Sequence, residues 1–137
     1  MSTHRFAARW IVGALGALAI AMGAFGVFNP EGQARLMGFS SIGVRTSGDH
    51  TIELLVITSL AAINTGIVYV VGAVKKWSGF DVWAMIARFL MGSGLLALAL
   101  SGLAPQAFIG AAAWEWIGAV LIGVSNRWDS FNRSAHA

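Results

Sequence analysis

AFIGAAAWEWIGAVLIGV, residues Ala107 to Val124, is an apolar run with one ionisable side chain near its centre, Glu115 between Trp114 and Trp116. A run of this length and composition reads as a membrane-spanning helix. A carboxylate at the middle of a span costs roughly 2.5–3.5 kcal/mol on insertion scales. Such groups face the interior of a helix bundle and have a partner there. The facing candidate is Arg88, which lies in the preceding apolar run.

Working outward, the same reading applies three more times. The spans expected are about residues 10–28, 51–74, 80–103 and 107–125. Arg5 and Arg9 precede the first as they precede a signal peptide, and Ala19-Ile20-Ala21 resembles a cleavage site. The apolar run nevertheless continues to Phe28 and reaches spanning length, so the expectation is an uncleaved span. Its many small residues, Gly13, Gly16, Gly23 and Gly26 among them, suit close packing against a neighbouring helix. Asn29-Pro30-Glu31-Gly32 has turn chemistry, and Gln33 to Phe39 has the mixed pattern of a short interfacial helix. Ser40 to Asp49 reads as loop, which makes 29–49 the longest connection, an outer loop long enough for a lid or docking surface. Asn126-Arg127-Trp128-Asp129 marks the end of the fourth span, with a flexible tail expected to follow.

Composition agrees with this organisation. The chain has 137 residues, 57% hydrophobic and 11% charged, where a soluble domain carries about 25% charged residues. The fold class expected is therefore all-α, an integral membrane four-helix transmembrane bundle forming a single membrane domain over 1–137. The net charge of +3 belongs to span ends; no basic patch interleaved with aromatics appears, so nucleic acid is excluded as a partner. The absence of cysteine removes disulfides, thiolate metal sites and dithiol redox chemistry.

Charge also orients the chain. Arg5, Arg9, Lys75, Lys76, Arg127 and Arg133 fall on one side, and only Arg35 and Arg45 on the other. The positive-inside rule then puts both termini in the cytoplasm, and Trp10, Trp77, Trp83 and Trp128 form an aromatic belt at that interface.

The polar residues inside the spans define a candidate site. At ~1.5 Å per residue, Arg88 and Glu115 both lie roughly 12 Å into the membrane from opposite faces, near the middle of a ~30 Å core. Asn64 reaches a similar level in the second span and is expected as a third member. His50 and Glu53 are expected at the outer rim and Asp81 at the inner rim. One reading of Arg88, Glu115 and Asn64 is a structural ion pair that fixes helix register. The other is a site for binding or proton handling. Adjacent residues point about 100° apart on a helix, so Trp114 and Trp116 do not face the same space and at least one of them faces lipid.

Other chemistry finds little support. The histidines, His4, His50 and His136, all lie outside the spans, so a haem or transition metal in the membrane core has no ligands. Asp49, His50 and Glu53 have metal-binding chemistry at the outer mouth, but the same residues serve to begin a helix, and no metal is expected. Ser93 and Ser101 have no histidine base nearby, and no glycine pattern follows a strand.

Over about residues 9–126 the chain resembles the small bacterial four-helix DoxX-like membrane proteins. The resemblance rests on the Gly-rich first span ending in Asn29-Pro30-Glu31, on Leu36-Met37-Gly38, on Glu53, on Ala87-Arg88 and on Trp114-Glu115. It implies a four-helix bundle in the bacterial inner membrane and, for some members, an accessory role in quinone-coupled oxidoreduction. It carries over no catalytic residue. Three functional readings follow. The first is an accessory or lipophile-binding subunit, with a membrane protein partner or a second copy, and with quinone or lipid as the bound molecule. The second is a membrane-embedded enzyme using Glu115 as acid or base, with Arg88 stabilising an anion. The third is a proton-coupled transporter, for which no internal repeat speaks.

Overall fold

In the computed structural model, residues 6–39 and 48–134 are described. They form five helices: α1 (Phe6–Phe28), α2 (Pro30–Leu36), α3 (Thr51–Lys75), α4 (Phe80–Leu100) and α5 (Ala107–Ser134). Among the described residues there is no strand. The four long helices each carry an apolar stretch of spanning length. Large apolar side chains such as Leu60, Leu90 and Val120 are more than half exposed along them, which in a bundle of this kind is the lipid-facing surface.

The elements start and stop for local reasons. Asn29 caps α2, its Oδ1 accepting from the Gly32 amide at 2.9 Å, with Pro30 in the first turn. The stretch expected as a turn at 29–32 is thus the start of a capped helix. The loop expected at 40–49 lies outside the described residues as far as 47. Asp49 Oδ1 accepts from the Thr51 amide at 3.0 Å and so begins α3. Gly79, at φ +71, turns the chain into α4. Three boundaries differ from expectation. α1 begins at Phe6 rather than 10. α4 ends at Leu100 rather than 103, where Ser101 and Gly102 turn the chain. α5 continues to Ser134, because residues 125–134 contain no Gly or Pro; the change to polar residues marks the membrane edge and not the helix end.

The long helices pack as two antiparallel pairs. In the first, α1 lies backbone to backbone on α3: a Cβ on Gly16 would come 2.8 Å from Gly66 O, and one on Gly66 would come 2.5 Å from Gly16 O. In the second, α4 and α5 pack along the buried stripe Asp81, Ala84, Arg88 and Gly92, spaced at helical intervals. The pairs meet mainly through α1 and α5, while α3 and α4 touch only sparsely. An apolar core of Val12, Tyr69, Ala84 and Ile122 closes the bundle toward the α3–α4 turn. Toward the other end α2 packs on α1 and α3, held by Gln33 against Ser59, whose hydroxyl donates to Gln33 Oε1 at 2.7 Å.

Candidate functional site

Between the core layer and the α2 end, the sparse contact of α3 with α4 leaves a cleft of about 540 Å³. Leu15 and Ala19 of α1, Ala61 and Ala62 of α3, and Ala87 and Met91 of α4 give it apolar walls. Thr58, Thr65 and Tyr69 line it from α3, and Arg88 and Glu115 from α4 and α5. From Thr58 to Tyr69 it extends about 16 Å along α3, at ~1.5 Å per residue. Its rim residues Ala61, Thr65, Trp83 and Met91 are exposed on the outer surface of the helices, so the mouth opens sideways, toward lipid.

Arg88 Nε stands 3.5 Å from Glu115 Oε2, with side-chain exposures of 8% and 21%. The arginine sits on the inward stripe of α4, and its guanidinium lies on the backbone of α5 at Gly118, where a Cβ would come within 2.4 Å of Nε. Glycine three residues after the glutamate therefore makes the seat for the arginine. The pair is in electrostatic contact, yet Arg88 Nε and Nη2 are buried and make no hydrogen bond among the described residues. In a low-dielectric surrounding such unfilled donors are costly.

The two tryptophans divide as helix positions two residues apart must. Trp114 is 48% exposed on the outside of the bundle. Trp116 is half-buried against α4, stacked on Phe89 and donating from Nε1 to Phe89 O at 3.4 Å. Gly92 leaves room for its ring, since a Cβ there would lie 2.7 Å from Trp116 Cδ1.

Asn64 does not join the pair. It is on the exposed side of α3 with Glu53, Ile57 and Leu60, and it does not line the cleft. The reason is angular: one residue along, at about 100° of rotation, Thr65 takes the position at the cleft mouth. Tyr69, one turn further, is the polar lining residue that the sequence reading passed over. Its signal was position, since it lies on the same face as Ala62 and Gly66. Tyr69 is 5% exposed and packs edge-on to Phe80 and Trp83, an aromatic floor beneath the polar pair.

The rim residues stand apart from this site. His50 and Glu53 are exposed at the start of α3, Asp81 is buried in the first turn of α4, and none of them lines the cleft. Among the described residues no three of His, Asp and Glu gather as metal ligands. The sequence reading also missed the contact of Gln33, Ser59 and Gly26. A Cβ on Gly26 would lie 2.2 Å from Ser59 Oγ, so only glycine leaves space for this polar junction of three helices.

Fold and site together define a four-span membrane protein with a polar, laterally open cleft. No protein-family model, curated protein or solved structure matches the chain.

Proposed function

We propose that this chain is a multi-pass protein of the bacterial inner membrane, with both termini cytoplasmic, that holds a lipophile in the α3–α4 cleft as an accessory or lipophile-binding subunit. The observation that carries the reading is the combination, in one cavity, of apolar walls, a sideways mouth at mid-span height and a buried Arg88–Glu115 pair. An ion pair that only fixed helix register would not need the adjoining volume. The cavity volume falls within the usual range of small-molecule sites, about 300–1,000 Å³. The six-to-two distribution of Lys and Arg supports the orientation, and the DoxX-like resemblance supports the bacterial setting.

The sideways mouth also suits an enzyme acting on an apolar substrate, with Glu115 as acid or base. The cleft favours binding over chemistry, because among the described residues no His, Cys or Ser lines it and Glu115 is engaged by Arg88. The test is native mass spectrometry of protein released gently from membranes, followed by extraction of retained molecules. The expected result is one lipophile per chain, lost in Ala87→Phe, which fills the cleft. Equal retention by the folded Ala87→Phe variant, or no retained molecule in either, overturns the reading.

A further inference from the structure

The cleft's charge balance selects the head group of its occupant. Arg88 and Glu115 are the only charged side chains that line it among the described residues, and they oppose each other at 3.5 Å. A ligand with a fixed charge meets one attracting and one repelling group at nearly the same distance. Little attraction is left to offset the loss of its hydration in an apolar cavity. A neutral head carries no such penalty.

Hydrogen-bonding capacity narrows the choice. A guanidinium has five N–H donors and no acceptor. Arg88 Nε and Nη2 are buried against α5 and make no hydrogen bond among the described residues, and the Glu115 carboxylate stands at ion-pair distance. The hydroxyl of Thr58, on the α3 side, donates to Leu55 O at 2.9 Å. The cleft therefore offers a donor group, the Arg88 guanidinium, beside an acceptor, the Glu115 carboxylate. A ligand oxygen can accept from the arginine, and a hydroxyl proton can in turn be donated to Glu115.

We infer that the cleft takes a neutral lipophile bearing a hydroxyl or carbonyl oxygen, entering sideways from the bilayer with its oxygen at Arg88 and its chain along the alanine-lined wall of α3. This rests on the lipophile-binding reading above and specifies the ligand class. Anionic and cationic amphiphiles of the same chain are excluded by the neutral pair.

Trp83 lines the cleft and reports on occupancy. Three probes with the same dibrominated C18 chain, an alcohol, a sulfate and a trimethylammonium, are titrated into the detergent-solubilised protein, and quenching of tryptophan fluorescence is followed. Trp83→Phe subtracts the signal of the other tryptophans. The expected result is saturable quenching of the Trp83 component by the alcohol at a concentration at least ten-fold below that for either charged probe, and its loss in Ala87→Phe. Glu115→Gln should move the preference toward the sulfate and Arg88→Gln toward the trimethylammonium. A wild-type preference for either charged probe overturns the neutral-ligand inference while leaving a lipophile site in place. Quenching by no probe, or equal quenching in Ala87→Phe, overturns both. The wild-type comparison stands alone if either charge variant fails to fold.

Discussion

Gly118→Ala tests how the arginine is seated. The new methyl is placed 2.4 Å from Arg88 Nε, 2.7 Å from Nη2 and 2.8 Å from Cζ. Contacts of this kind rest at about 3.5 Å, so the guanidinium has to withdraw by about 1 Å. Overpacking of a tight contact costs about 1–3 kcal/mol. The withdrawal also loosens the 3.5 Å approach to Glu115. At an effective dielectric of about 20, moving unit charges from ~3.5 to ~4.5 Å apart loses about 1 kcal/mol. Against these stands the better helix propensity of alanine, about 1 kcal/mol. The net expectation is destabilisation by about 1–3 kcal/mol. Gly110→Ala on the same helix is the matched control, because nothing lies within 4 Å of its Cβ position. It should be neutral or stabilising by up to ~1 kcal/mol. The assay is equilibrium unfolding by SDS from mild-detergent micelles, followed by tryptophan fluorescence. In an Arg88→Met background the cost of Gly118→Ala should fall to that of the control. If Gly118→Ala and Gly110→Ala are equally stable in the wild-type background, the guanidinium does not rest on α5 and the reasoning is refuted.

The ion pair itself is tested by a double-mutant cycle. Removing one partner strands the other, so Glu115→Gln or Arg88→Met alone should each cost roughly 3–5 kcal/mol, and Arg88→Met with Glu115→Leu much less than their sum. Additive costs would mean that the two charges are not coupled. For orientation, a cysteine at Ser78 should resist a membrane-impermeant thiol reagent in intact cells and one at Ser101 should react; the reverse pattern inverts the topology. Gln33→Leu should cost about 1 kcal/mol, since the Ser59 hydroxyl keeps its 2.7 Å contact with Leu55 O, and an unchanged unfolding midpoint would show that the α2 junction carries no stability. Purified protein should carry no stoichiometric haem or transition metal in its membrane core; a Soret band that survives His50→Ala would reveal a haem ligand set that does not include His50.

The sequence by itself determined the four spans, because lipid demands about twenty apolar residues with every backbone group bonded internally, and that demand is written in composition. It also singled out Arg88 and Glu115, whose opposite charge and equal depth can be read by counting residues. It identified the thin glycine face of the first span, though not its partner, α3. It did not determine how α3 is rotated about its axis. Polar residues lie on several sides of that helix, so composition offers no preferred face, and Asn64 was expected where Thr65 and Tyr69 stand. The rotation is decided by the backbone contact of Gly16 with Gly66, which turns Ser59, Gly66 and Tyr69 inward and leaves Glu53 and Asn64 outside. The cleft too belongs to the tertiary structure alone. It exists because the two helix pairs join through α1 and α5 and leave α3 and α4 apart, a balance among distant contacts that no single stretch of the chain encodes.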